Sequence, residues 1–386
     1  MKNDVSAVQL KQQRKVSFSE CALLAVILVV ATKFCTLPSV LAGIAGSKAV
    51  WAAAILTAIE GATVFFCFQT AKLGGITALP LPDGVKRGIC ALFAVFFVLK
   101  LTVYLRETAT YYALSLFENA PVLPVTVILA IACILLARKG FMAVGRMMEI
   151  FVWLVVFVFL FVVVFTRTQG DLFNALAMFN PDAKGLGKGV FQGLAWFGDG
   201  AVIAFVDLSG QEGSPVGELP APADRAKAKR RIAFASALFC FATVVVFYAV
   251  FTAVYGDAAK MTDYAFIKLS AFKANTDELG SADWPVIILW SILTTLQLTL
   301  LFVAGRESLL SATNKKPPEK SSPLPFVLLG VAAVLFSAFF LDEEGDYQRF
   351  MTKVTSVFSL VATVWAMGLG VYSLVKGKEA LREKQN

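Results

Sequence analysis

The chain has 386 residues, 58% of them hydrophobic and only 16% charged, with a formal net charge of +8. A soluble domain is ordinarily ~45–50% apolar and ~25% charged, so the composition excludes an ordinary globular enzyme and points into the bilayer. Histidine is absent, which excludes His-based catalysis and His metal ligation. The six cysteines (Cys21, Cys35, Cys67, Cys90, Cys133, Cys240) all sit within apolar segments, without metal-type spacing.

In chain order, the polar start up to residue 17 leads into an apolar stretch without an A-x-A-like cleavage site, so the first segment is expected to be a retained helix. A bilayer core ~30 Å thick needs ~20 helical residues. Segments of that kind fall at 18–44, 49–71, 88–112, 121–137, 143–166, 189–208, 232–255, 284–305, 324–341 and 350–375. Residues 151–166 and 232–255 hold no charge at all, and the dyad alternation of an outer-membrane barrel is absent. The expectation is an all-α, polytopic membrane protein of about ten helices in a single domain. Residues 1–166 form a first five-helix repeat (tail 1–17), 189–375 a second, and 376–386 a terminal tail.

With the N-terminus in the cytoplasm, the inside connections carry 23 of the 35 Lys and Arg residues and the outside ones 9. The positive-inside rule therefore places both termini in the cytoplasm of an integral membrane protein. The basic charge reads as orientation chemistry with anionic lipid contact, not as a nucleic-acid surface. Residues 209–231, with Gly, Pro and a basic end, read as the linker between the halves. Residues 256–283 include an expected short amphipathic helix.

Two segments are interrupted: the first at Thr36-Leu37-Pro38, and the sixth at Phe197-Gly198-Asp199-Gly200. Proline removes a helix hydrogen bond and clashes with the preceding turn. Discontinuous helices at matching positions of two halves mark a midplane site of transporter type. Charge falls at the same depth: Lys33 in helix 1, Glu60 in helix 2, Lys100 in helix 3 and Asp199 at the helix 6 break. Each costs ~2.5–3.5 kcal/mol at the bilayer centre. Two basic and two acidic groups can neutralise one another, with Lys33–Glu60 the pair preferred from depth alone. They serve as a ligand or proton-coupling site, or as a structural ion pair. The ligand-binding candidates are Thr32, Lys33, Phe34, Cys35 and Thr36 from helix 1 and Trp196, Phe197, Gly198, Asp199 and Gly200 from helix 6, then Lys100, Tyr104 and Thr295. Backbone groups of the breaks are expected to hold a ligand's charged ends, with Phe34, Trp196 and Phe197 closing over its side chain. Arg106 and Glu107 form a gate or a packing pair. Arg146 and Glu149, at i, i+3, suggest a helix-surface pair, and Thr295 and Thr299 share a face that lines a cavity or bonds a neighbouring helix. No P-loop, nucleophile elbow or metal cluster is present, so neither an enzyme nor a cofactor is expected.

The chain resembles the GerAB-type spore germination permeases of the amino acid/polyamine/organocation superfamily. The resemblance rests on Thr36-Leu37-Pro38-Ser39, Trp51, Leu105-Arg106-Glu107, the stretch from Lys139 and Gly140 to Gly145-Arg146 and Glu149, Asn180-Pro181, and Asp283-Trp284 with Trp290. It implies a five-plus-five inverted repeat like LeuT, with a substrate site between helices 1, 3, 6 and 8. It also implies an amino-acid-type germinant, location in the bacterial cell membrane or spore inner membrane, and two partners, an A-type membrane subunit and a C-type lipoprotein. Ala31-Thr32-Lys33 stands where the family usually has Gly-x-Gly, and Gly198-Asp199-Gly200 where it often has Gly-x-Glu. These departures alter the backbone site for a ligand carboxylate, where the Lys33 ammonium takes over or blocks it, and leave ligand identity open. The expected function is a B-type germinant-receptor subunit that binds a small amino acid or similar solute, with a free-standing proton- or cation-coupled amino acid transporter as the alternative.

Overall fold

The computed structural model describes residues 16–115, 120–166, 170–179, 184–209, 222–271, 283–313, 323–341 and 344–383. The Asn180-Pro181 match, the tail before residue 16 and most of the 209–231 connection lie outside them.

The described chain is helical throughout. Span 1 comprises α1 (Phe18–Val30) and α2 (Leu37–Ala45), and α3 (Ala49–Lys72), α4 (Asp83–Ser115), α5 (Val122–Ala137) and α6 (Phe141–Thr166) complete the first half. After α7 (Leu172–Ala177), span 6 comprises α8 (Leu186–Gly193), a 3₁₀ turn at Leu194–Trp196 and a 3₁₀ helix at Asp199–Phe205. Then follow α9 (Pro222–Tyr255), α10 (Ala265–Ala271), α11 (Asp283–Ala312), α12 (Leu324–Phe340), α13 (Glu344–Arg349) and, after a π-helical stretch at Phe350–Thr355, α14 (Ser356–Glu383).

Among the described residues, five helical stretches are each long and apolar enough to cross a bilayer by themselves. The α5–α6 pair bends by 103° at its junction, and α1 and α12 are shorter apolar helices. Many outward-facing side chains are large and apolar, among them Ile128, Trp153 and Phe157, as suits a surface solvated by lipid. The segment predicted as a terminal tail at 376–386 continues α14 to Glu383, and α9 starts at Pro222, inside the segment expected to be a linker.

Local chemistry sets the key boundaries. Ser17 and Glu20 form a reciprocal capping box at the start of α1. Arg146 reaches that same Glu20 at 3.6 Å, so the expected Arg146–Glu149 pair gives way to a contact between spans that sequence spacing does not reveal. Pro38 lies in the first turn of α2, where its missing N–H is harmless. Its ring clashes with a helical carbonyl four residues back, so the helix is broken upstream, over Ala31–Thr36, rather than at Pro38 itself. In span 6, Phe197 is extended and Gly198 is left-handed at φ +88°. An added Cβ at Gly198 would lie 3.1 Å from Thr363 Oγ1, so both conformation and space call for glycine there. The most extensive helix–helix contact joins α4 to α11, and α3 packs on α14 and on the Asp199–Phe205 helix. These contacts carry side chains from spans 2, 3 and 8 to the two breaks.

Candidate functional site: a sealed double break beneath a cavity

Lys33, Glu60, Lys100 and Asp199 are all fully buried and meet at the breaks. Lys33 Nζ lies 2.7 Å from Asp199 Oδ2, 2.8 Å from the Leu28 carbonyl and 3.4 Å from Thr32 Oγ1. Lys100 Nζ lies 3.1 Å from Asp199 Oδ1 and donates to the carbonyls of Ala195 at 2.6 Å and Phe197 at 2.7 Å. It also lies 3.0 Å from the Tyr104 hydroxyl. That hydroxyl is 2.9 Å from Asp199 Oδ2 and 3.1 Å from the Trp196 carbonyl. Gln297 donates to Asp199 Oδ2 at 2.7 Å and to Thr32 Oγ1 at 3.2 Å. The Lys33 ammonium also stands 5.3 Å from the centre of the Phe197 ring, within cation–π range.

The preferred Lys33–Glu60 pair is therefore replaced by Lys33–Asp199. Glu60 instead accepts from the backbone N–H groups of Gly198 at 2.6 Å and Gly200 at 2.7 Å. Depth along a helix says nothing about its rotation, and two free amides at a helix break draw a carboxylate as strongly as an ammonium does. Gly200 is needed for this approach, because an added Cβ would lie 2.7 Å from Val64 Cγ2 and 3.3 Å from Glu60 Oε1.

The backbone of the first break is satisfied as well. Tyr248 donates to the Lys33 carbonyl at 2.9 Å, and the N–H groups of Phe266 and Ala265, opening α10, each donate at 3.0 Å to the carbonyls of Phe34 and Cys35. The Thr36 N–H donates to Glu107 Oε1 at 3.2 Å, and the Thr36 hydroxyl donates to the same oxygen. The break groups expected to hold a ligand's charged ends are thus taken by Glu60, Lys100, Tyr104, Tyr248 and Glu107.

Other candidates fall elsewhere. Phe34, expected to close over a ligand, packs among Phe159, Phe247 and Phe266, with its ring centre 4.3 Å from that of Phe247. Cys35 is buried and free. The Thr295 backbone carbonyl lies 3.9 Å from Cys133 Sγ of α5. Gln297, two residues on and so about 200° around the helix, is the α11 side chain that reaches the breaks. Its sequence signal is a lone amide among Thr294, Thr295 and Thr299. Among the described residues, no group of three His, Cys, Asp or Glu side chains is placed to hold a metal ion.

Directly beside the breaks lies a cavity of about 840 Å³, opening on the face that carries Met261–Tyr264 and Tyr347–Gln348. Of the candidate residues only Thr36 and Trp196 line it; with Glu107 they form its base. Arg106 and Glu107 both line this space. Glu107 is buried beneath it. Tyr255, Tyr264, Lys268 and Tyr347 complete its walls. Tyr111 joins Tyr264 to Trp290 behind one wall, with ring centres 5.2 Å and 4.4 Å away.

No protein-family model and no curated protein sequence matches the chain. Its fold does match solved structures. MhsT in complex with L-phenylalanine superposes with a TM-score of 0.66 at 14% identity, over 92% of this chain and 89% of that one. The manganese transporter of Eremococcus coleocola gives 0.58 at 14% identity, over 92% and 78%. Mhp1, a nucleobase-cation-symport-1 family transporter with bromovinylhydantoin bound, gives 0.56 at 14% identity, over 87% and 74%. The fold is accordingly the LeuT-type five-plus-five arrangement with broken helices 1 and 6.

Proposed function

We propose that this chain is a solute-binding membrane protein of the spore-germination permease type, a B-type receptor subunit that takes a small amino acid or similar solute into the cavity and passes the event to its partners. The observation that carries this reading is the make-up of the cavity base. Thr36 ends the break in span 1 and Trp196 precedes the break in span 6, so a solute seated there touches both discontinuous helices. A ligand shifts a conformational equilibrium only through unequal contact with its states, and contact with the two elements that can hinge supplies that inequality.

With the termini in the cytoplasm, as the Lys and Arg distribution favours, the cavity opens to the outside, where a germinant arrives. The A-type subunit and C-type lipoprotein belong to this proposal and rest on the sequence resemblance.

A proton- or cation-coupled transporter is the second reading, favoured by the fold shared with MhsT, Mhp1 and the manganese transporter. The sealed breaks weigh against it, because onward passage from the cavity would require parting the fully buried Lys33 and Lys100 from Asp199. The two readings separate in proteoliposomes. A receptor subunit binds a radiolabelled amino acid that stabilises it and does not accumulate it under an imposed proton gradient. Accumulation above the bound stoichiometry would establish the transporter instead.

A further inference from the structure

The span 6 break is opened at two backbone hydrogen bonds. In a continuing 3₁₀ turn the Gly198 N–H would donate to the Ala195 carbonyl, and the Gly200 N–H to the Phe197 carbonyl, three residues back. Both N–H groups go to Glu60 instead. Both carbonyls go to Lys100. A carboxylate from span 2 and an ammonium from span 3 thus take the two halves of the opened bonds.

The Lys100 ammonium is held in a cage of four oxygens. The Ala195 and Phe197 carbonyls lie at 2.6 and 2.7 Å, the Tyr104 hydroxyl at 3.0 Å and Asp199 Oδ1 at 3.1 Å. Backbone carbonyls that replace a hydration shell are how proteins hold a small monovalent cation. Here the cation is covalently attached. A single carboxylate in the cage suits a single positive charge. A divalent metal is not matched, because Glu60 is engaged by the two amides and, among the described residues, no group of three His, Cys, Asp or Glu side chains is placed to hold one. Charge agrees with geometry. Lys33 and Lys100 cancel Glu60 and Asp199, all four of them fully buried, so losing Lys100 leaves one negative charge uncompensated in a place where that is costly.

We infer that Lys100 is a resident cation: its ammonium does the work of a soluble monovalent ion at the span 6 break, so the wild-type chain closes that break without sodium or potassium, and shortening Lys100 turns the cage into a binding site for a small monovalent cation. A side-chain ammonium cannot be exchanged between the two sides of a membrane, so this cage drives no cation-coupled cycle. The inference holds whatever the cavity binds.

The test uses the full chain, purified in detergent. Thermal unfolding is followed in ammonium, potassium, sodium and N-methylglucamine chlorides at equal ionic strength, the last cation being too bulky for the cage. The wild type is expected to give the same Tm in all four. Lys100→Ala is expected to melt lower in N-methylglucamine chloride and to regain about 2–4 °C, saturably, in ammonium or potassium chloride, the shift produced by an ion at several times its dissociation constant. Lys100→Met keeps the cage filled with side chain, and should lose stability without recovering it in any of the salts. If Lys100→Ala is obtained only when extracted in ammonium or potassium salt, that requirement is the same result; if it is obtained in none, the wild-type comparison decides. A wild-type Tm that rises selectively with sodium or potassium overturns the inference. So does a Lys100→Ala chain indifferent to the cation, or an equal recovery in Lys100→Met, which would place the salt effect elsewhere.

Discussion

Glu60 and Glu107 are both buried glutamates beside a broken helix, and they differ in how completely they are used. Glu60 spends both oxygens on the amides of Gly198 and Gly200. Glu107 spends one on Thr36 and stands among the side chains of Trp196 and Tyr347 on the lining of a cavity. The first is what a structural charge looks like in a low-dielectric interior, where every lone pair must be met. The second is a buried charge that borders open space.

Breaking the saturated region should have the largest effect. Asp199→Asn takes from the Lys33 and Lys100 ammonium groups the carboxylate that both contact directly. Removing one partner of a buried ionic cluster costs about 3–5 kcal/mol, so the purified variant should show a large fall in Tm or fail to express. A cycle with Lys100→Met sharpens the point: the double variant should be less destabilised than the two single losses combined, because coupled neighbours are not additive. Additive losses would mean that Lys100 and Asp199 do not act as a pair.

Glu60→Gln comes next. The amide oxygen keeps one backbone N–H while the amide nitrogen confronts the other, and a hydrogen bond to a charged group is worth about 1.5–3 kcal/mol. A Tm loss of that order is expected, with no selective effect on solute binding.

Gly198→Ala should cost about 1–3 kcal/mol, from the left-handed conformation at φ +88° and the Thr363 contact. A wild-type Tm would show that the span 6 break is not held in this geometry.

Glu107→Gln should have the smallest effect on stability, within about 1 kcal/mol, because the amide oxygen can still accept from Thr36. Its effect should fall on ligand affinity. That reversal between two glutamates, one moving Tm and the other moving affinity, is what the comparison predicts, and a large Tm loss at Glu107 would erase it.

Much of the fold was legible in the sequence. Hydropathy runs located the helices, with α9, α11 and α14 extending seven to ten residues beyond the expected bounds, and Pro38 and the Gly198-Asp199-Gly200 run announced the two breaks, because both act through local backbone geometry. The depth of Lys33, Glu60, Lys100 and Asp199 was readable too, since a span's length fixes where its midpoint lies. Their pairing was not. Whether Lys33 meets Glu60 or Asp199 depends on helix rotation and on which backbone amides the breaks expose, and neither is written in a single segment. The same reason hid the role of Gln297 behind Thr295. Phe34 was misread because a single aromatic beside a break does not reveal that Phe159, Phe247 and Phe266 converge on it from distant segments. Nor could local spacing show that Glu107 and Tyr347, more than two hundred residues apart in sequence, line one cavity.

The most direct test is a structure of the chain determined by cryo-electron microscopy with a stabilising amino acid bound. The account predicts density against Glu107, Trp196 and Tyr347, with Lys100 still on the carbonyls of Ala195 and Phe197 and Glu60 still on the amides of Gly198 and Gly200. Density lying on those amides, with Glu60 or Lys100 displaced, would contradict it and return the site to the helix breaks.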